Sequence, residues 1–132
     1  MKPLSILVAD DEESIRVLLH HWLTKAGHTV TSVGTGREAV EAMQKKKFSL
    51  VITDVLMPDG DGLDLIAKLR QAHPAARILA ISGGGRYVEG ADCLKMARGF
   101  GAHASTMKPF TWAELQAGID QALAPTTPER AV

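Results

Sequence analysis

Short apolar runs and amphipathic stretches alternate along the chain. Leu4 to Ala9 is a β-rich run that ends in an acidic cluster, Asp10-Asp11-Glu12-Glu13. Beyond it, Ile15, Leu18, Leu19, Trp22, Leu23 and Ala26 recur at spacings of three and four, which predicts a helix with one buried stripe. Gly27 follows where a helix C-terminus favours glycine. His28 to Val33 reads as a second strand. Thr35 and Glu38 have capping-box spacing and open a second helix to about Lys46, with Lys45, Lys46 and Lys47 near the end where the dipole favours cations. Phe48 to Thr53 is nearly all apolar, as in a strand covered on both faces, and ends on Asp54. The turn-rich segment Met57-Pro58-Asp59-Gly60-Asp61-Gly62 precedes a third helix, with Leu65, Ile66 and Leu69 inward and an end near His73-Pro74. Arg77 to Ile81 is a fourth strand, running into Ser82 and Gly83-Gly84-Gly85. A fourth helix covers about Val88 to Phe100, closed by Gly99 and Gly101. Ala102 to Met107 is a weakly apolar fifth strand leading into Lys108-Pro109-Phe110. Thr111 and Glu114 form a second capping box for a last helix to about Leu123, and Pro125 to Val132 has no periodicity.

Five β-α units in succession predict one domain over residues 1–124, followed by a loose tail, 125–132. The alternation calls for a doubly wound parallel sheet with helices on both faces and right-handed crossovers. Ligands of such sheets bind outside the carboxyl ends of the strands.

Composition narrows the function. The 132 residues carry 15 Lys+Arg against 15 Asp+Glu, so no net field draws the chain to nucleic acid or an anionic membrane. The lone Cys93 excludes an internal disulfide and a thiolate zinc site. The five histidines are scattered without ligand spacing. No apolar run approaches the roughly 20 residues of a membrane span, and the start has no secretory signal pattern. A cytoplasmic location is expected.

The predicted strand ends carry the chemistry. Strand one ends at Asp10-Asp11, strand three at Asp54, strand four at Ser82 and strand five at Lys108. Carboxylates converging on one sheet edge repel each other, and a hard divalent cation relieves that conflict; carboxylates plus water suit Mg²⁺. A lysine opposite them is a point charge for a phosphoryl oxygen. The Ser82 hydroxyl and backbone N–H groups of Gly83-Gly84 can add donors. Asp54, after a wholly apolar strand and before an open turn, is placed to attack phosphorus in line and form an acyl phosphate. Taken singly, each of these residues also has a bland reading: helix-end acids, a turn aspartate, a loop serine, a surface lysine.

Together, Ile6-Leu7-Val8-Ala9-Asp10-Asp11-Glu12, Val51-Ile52-Thr53-Asp54-Val55-Leu56-Met57-Pro58 with Gly62, Ser82, and Lys108-Pro109-Phe110 resemble the receiver domain of two-component response regulators, over about residues 4 to 123. The resemblance implies a flavodoxin-like (βα)5 fold with strand order 2-1-3-4-5. It implies phosphorylation of Asp54 by a histidine kinase or histidine phosphotransfer protein, with Ser82 and Lys108 contacting the phosphoryl group. It also implies Mg²⁺ held by Asp11, Asp54 and the Leu56 carbonyl, with Asp10 acting partly through water, and a cis Lys108–Pro109 bond. The expected role is that of a stand-alone phosphoacceptor switch. It would catalyse only its own phosphorylation and dephosphorylation, and would signal by contact with an unknown downstream protein or by phosphorelay.

The chain departs from the family at Ser105, where an aromatic residue is usual, so Tyr87 and an enlarged loop over Gly83–Gly90 are expected to carry the switch. Leu56 and Gly84 occupy the positions that tune dephosphorylation, and neither positions a water. An alternative is a pseudo-receiver that acts as an interaction module without phosphate. A phosphatase of the haloacid-dehalogenase class is disfavoured because Leu56 stands where its second aspartate belongs. A nucleotide-binding fold is disfavoured because no G-x-G-x-x-G follows strand one.

Overall fold

A computed structural model of the protein describes residues 3–55, 62–82, 95, 97–99 and 101–125. Five parallel strands, β1 (Ser5–Ala9), β2 (Thr29–Val33), β3 (Leu50–Asp54), β4 (Arg77–Ser82) and β5 (Ala104–Met107), lie in the order 2-1-3-4-5. Among the described residues, four helices accompany the sheet: α1 (Glu13–Lys25), α2 (Gly36–Lys45), α3 (Gly62–Ala72) and α4 (Trp112–Leu123). This is the doubly wound architecture that the alternating pattern predicts.

The continuous apolar runs are explained by two cores, one on each face of the sheet. Side chains alternate across a strand. Leu7, Ala9, Val51, Ile78 and Ala80 therefore face α2 and α3, packing with Ala39, Met43, Ile66 and Leu69. Ile6, Val8, Leu50, Ile52, Leu79 and Ile81 face the other way, packing with Leu19 and Leu23 of α1 and with Leu115 and Ile119 of α4.

Helix ends follow local chemistry. Gly27 adopts φ +100°, the left-handed conformation that closes α1. That closure makes Ala26 the C-cap of α1, and its side chain is exposed, not on the inward stripe where spacing placed it. At α4, Thr111 Oγ1 accepts from the Glu114 N–H (3.1 Å) while Glu114 Oε1 accepts from the Thr111 N–H (2.9 Å), a full capping box. At α2, Thr35 Oγ1 accepts from the Glu38 N–H (3.1 Å), but the Glu38 carboxylate reaches one residue further back, to the Gly34 N–H (3.2 Å). Residues 95 and 97–99 are helical, and Gly101, at φ +122°, follows them. Gly99 thus lies inside that turn of helix and Gly101 is the closing glycine. Most of the expected helix over 88–100, the loop Gly83–Gly90 with Tyr87, and Leu56 lie outside the described residues.

Strand order fixes where a site forms. β1 connects outward to β2 on one side, while β3 lies on its other side, so the direction in which successive strands are added to the sheet reverses between β1 and β3. That reversal opens a crevice at their carboxyl ends. Ala9 pairs in register with Thr53, which brings the next residues, Asp10 and Asp54, to the same level of the crevice.

Candidate functional site

Asp10, Asp54 and Ser82 are the buried polar residues at the carboxyl edge of the sheet, with exposures of 0, 6 and 1%. Their backbones are held by the sheet itself. Asp10 N–H donates to the Val33 carbonyl (3.1 Å), Val55 N–H to the Ile81 carbonyl (3.0 Å), and Lys108 N–H to the Ser82 carbonyl (2.9 Å). The last bond brings the Lys108 backbone to the end of β4. The Lys108–Pro109 peptide is cis, as the resemblance implies.

The Lys108 ammonium is the hub. Its Nζ lies 2.9 Å from Asp10 Oδ2, 2.9 Å from Glu12 Oε1 and 3.1 Å from Asp54 Oδ2. The contact with Asp10 is a charge pair out of hydrogen-bond alignment, which leaves the buried Oδ2 without a donor. Burial opposes the charge on Lys108, but its close contacts with the Asp10, Glu12 and Asp54 carboxylates outweigh it, and the amine is held well above its usual range. Lys108 is therefore a fixed cation at any physiological pH.

Asp10 is braced on two sides. Its Oδ1 accepts from the Glu12 N–H (2.9 Å), closing a tight turn. Its carbonyl accepts from Arg16 Nη1 (2.7 Å), which ties the end of β1 to the first turns of α1. Asp54 is braced from behind, because Gly62, the first residue of α3, sits against the Asp54 and Val55 carbonyls with no space for a Cβ.

One carboxylate oxygen from each of Asp10, Glu12 and Asp54 lies within 4.8 Å of the other two. This is a set of hard oxygen donors, two of them buried, and one carries an oxygen without a hydrogen-bond donor; it fits a small divalent cation such as Mg²⁺. Asp11, expected as a metal ligand, is exposed and stands outside this grouping. The Asp10–Glu12 turn directs residue 12, not residue 11, toward Lys108. Leu56, the other expected ligand, is outside the described residues. Of the expected set, the structure therefore brings together Asp10, Asp54 and Lys108, with Ser82 at the neighbouring strand end.

Sequence reasoning gave no individual role to Glu12 or Arg16. The signal for Arg16 was present: it follows Glu12 by four residues, one helical turn, and so returns to the end of β1. Ser105 lies on β5, paired with Ala80 and partly buried, so no ring is available at that position.

Residues 6–120 match the response regulator receiver domain family. The chain is 34% identical over 106 residues to the chemotaxis protein CheY of Thermotoga maritima, covering 80% of this chain and 85% of that protein. It is 33% identical over 132 residues to the DNA-binding transcriptional regulator NtrC of Azospirillum brasilense, but spans only 27% of that relative's length. Against CpdR of Brucella abortus the identity is 38% over 78 residues, 59% of this chain and 65% of the relative. Among solved structures, the chemotaxis response regulator CheY4 of Vibrio cholerae superposes with a TM-score of 0.82 at 27% identity, over 92% of this chain and all (100%) of that one. NtrX of Brucella abortus gives 0.84 at 29% identity, over 92% of this chain and 27% of that one. With its 2-1-3-4-5 parallel sheet and its match across most of its length, the chain belongs to the receiver domain family of response regulators.

Proposed function

We propose that Asp54 is the phosphoacceptor and that the donor is the phosphohistidine of a sensor kinase or a histidine phosphotransfer protein. The observation that carries this reading is the placement of Lys108 Nζ against both Asp54 and Asp10, at 3.1 and 2.9 Å. An unprotonated Asp54 oxygen attacks phosphorus, the P–N bond to the donor imidazole breaks, and the imidazole leaves with its electron pair. The product is an acyl phosphate, labile in water and suited to a reversible signal. Lys108 is the cation that shifts from the Asp54 carboxylate to an oxygen of the new phosphoryl group. The Ser82 hydroxyl, buried on the adjacent strand end, donates to another.

Asp10 and Asp54 would hold Mg²⁺, with Asp11 and the Leu56 carbonyl completing the set that the resemblance implies, and Glu12 the third carboxylate grouped with them. The cation would neutralise phosphoryl charge. Catalysis by this chain is confined to its own phosphorylation and dephosphorylation. Output goes through contact with a downstream protein or onward phosphate transfer, in keeping with a neutral chain whose described helices are too short and polar to cross a membrane.

The test is a phosphodonor assay on the whole chain. With acetyl phosphate and Mg²⁺, the intact mass should rise by one phosphoryl group in the wild type and stay unchanged in Asp54→Asn. Equal uptake by both proteins would remove the assignment.

A further inference from the structure

Two elements bring charged groups to Asp54. The turn that opens α1 carries Glu12, and the segment between β5 and α4 carries Lys108. About 14 Å along α1 from Glu13, by helical rise, the same two elements are joined again by three aromatic rings. Trp22 lies 6.3 Å from Phe110 with ring planes at 58°, and 5.8 Å from Trp112 at 65°, an edge-to-face pair. Both geometries are ones that ring quadrupoles favour. All three rings are partly buried against the core beneath α1 and α4.

The segment from Lys108 to Trp112 is thus held from three directions. At its start the Lys108 N–H is bonded to the Ser82 carbonyl of β4. At its end the Thr111–Glu114 capping box fixes the first turn of α4. On its α1 side it meets Trp22, through rings two and four residues beyond Lys108. α1 does not need Trp22 to sit on the sheet, because Leu19 and Leu23 of the same helix are fully buried. What Trp22 adds is contact with both aromatic residues, Phe110 and Trp112, that lie beyond Lys108. Lysine has a long flexible stem, so simultaneous contacts at 2.9, 2.9 and 3.1 Å with three carboxylates depend on where its backbone is held.

We infer that Trp22 is a positioning residue for Lys108: through Phe110 and Trp112 it sets the spacing between α1 and the Lys108 segment, so that the amine reaches Asp54. This rests on the reading of Asp54 as phosphoacceptor, and the test separates the two. The whole chain is phosphorylated with acetyl phosphate and Mg²⁺, and the rate of mass gain is followed for wild type, Trp22→Leu and Trp22→Phe. Met43→Ala, a core truncation on the opposite face, serves as the stability control. Trp22→Leu is repeated with Lys108→Ala, and the Lys108 side-chain NMR signal is recorded without phosphodonor. Trp22→Leu should slow phosphorylation roughly tenfold, the loss of one good aromatic contact. Trp22→Phe should recover most of it, and Met43→Ala should stay near wild type. Trp22→Leu should have no further effect once Lys108 is alanine, and it should move the Lys108 signal. If Trp22→Leu does not fold, Trp112→Leu cuts the same contact from the other side. A wild-type rate with an unmoved Lys108 signal overturns the inference, as does a full effect in the absence of Lys108 or an equal loss in Met43→Ala. If the wild type takes up no phosphate, the phosphoacceptor assignment fails, while the Lys108 signal still decides the role of Trp22.

Discussion

Gly62 and Asp54 share a contact that admits no side chain: a Cβ on Gly62 would run into the Asp54 and Val55 carbonyls. The start of α3 is therefore the backstop of the strand that presents Asp54, the proposed phosphoacceptor. A buried glycine packed on backbone, not on a flexible side chain, has no neighbour that can yield cheaply.

Gly62→Ala should accordingly destabilise the fold by about 3 kcal/mol, at the upper end for overpacking. It should also slow phosphorylation, because relief of the clash displaces the end of β3. Urea unfolding and acetyl phosphate kinetics check this. A variant as stable as wild type would mean that α3 shifts freely.

His103 predicts an acid-side loss of stability. Its Nδ1 accepts from the Ile78 N–H (3.0 Å), which leaves Nε2 as the protonated nitrogen, 3.2 Å from Arg70 Nη1. Burial first, then the charges of Arg77 and Arg70, push the ring down to about 4. Folding thus favours the neutral ring. The sign follows: the contribution is complete above the unfolded value of 6.5 and is lost as pH falls from there through about 4. Discounted for partial exposure, it amounts to about 1 kcal/mol. His28, which accepts from the Leu4 N–H (3.0 Å) and is also shifted down by burial, acts in the same direction. Between pH 7 and 5 the wild type should lose more stability than His103→Gln. Parallel curves would contradict the account.

The metal set is decided by two substitutions. Asp11→Ala should weaken Mg²⁺ binding about tenfold, the size expected when one ligand of a small hard-cation site is lost. Glu12→Gln should change it little, since the family resemblance assigns the metal to Asp10, Asp11 and Asp54, and Glu12 is the most exposed of the carboxylates that Lys108 contacts. Calorimetric or NMR titration measures both. The reverse order would assign the third carboxylate to Glu12.

Arg77 should pin the last helix. Its Nε donates to the Ala122 carbonyl (2.6 Å) and an Nη to the Ala124 carbonyl (2.7 Å), satisfying acceptors that a helix end leaves open. Arg77→Met should cost about 2 kcal/mol and speed amide exchange in the last turn of α4. Unchanged exchange there would mean water replaces the guanidinium.

Much of this site is legible in the sequence because strand periodicity is short and its end points are sharp. The apolar runs ending at Asp10, Asp54 and Ser82, and the run into Lys108, fall on one edge once the sheet is parallel. The capping boxes are equally local, although at α2 the Glu38 carboxylate accepts from the Gly34 N–H and the Thr35 hydroxyl and not from the Thr35 N–H. What escapes the sequence depends on geometry between distant elements. Glu12 reaches Lys108 only because of the turn at Asp10. Arg16 reaches the Asp10 carbonyl only once α1 has its observed direction. Trp22 reads as packing, and the meeting with Phe110 and Trp112, some 90 residues later, depends on how α1 and α4 cross the sheet. Ala26 shows the opposite error: its spacing fits the stripe, but the closure at Gly27 turns it out.

The central claim is that one carboxylate, Asp54, becomes an acyl phosphate. Borohydride reduces an acyl phosphate to an alcohol and leaves free carboxylates untouched, so it marks the phosphorylated residue as homoserine. Peptide mapping of the whole chain, treated with acetyl phosphate and Mg²⁺ and then reduced, should find homoserine at position 54 and at no other aspartate. Homoserine at position 10 or 11, or none in a protein that has gained phosphate, would contradict the account.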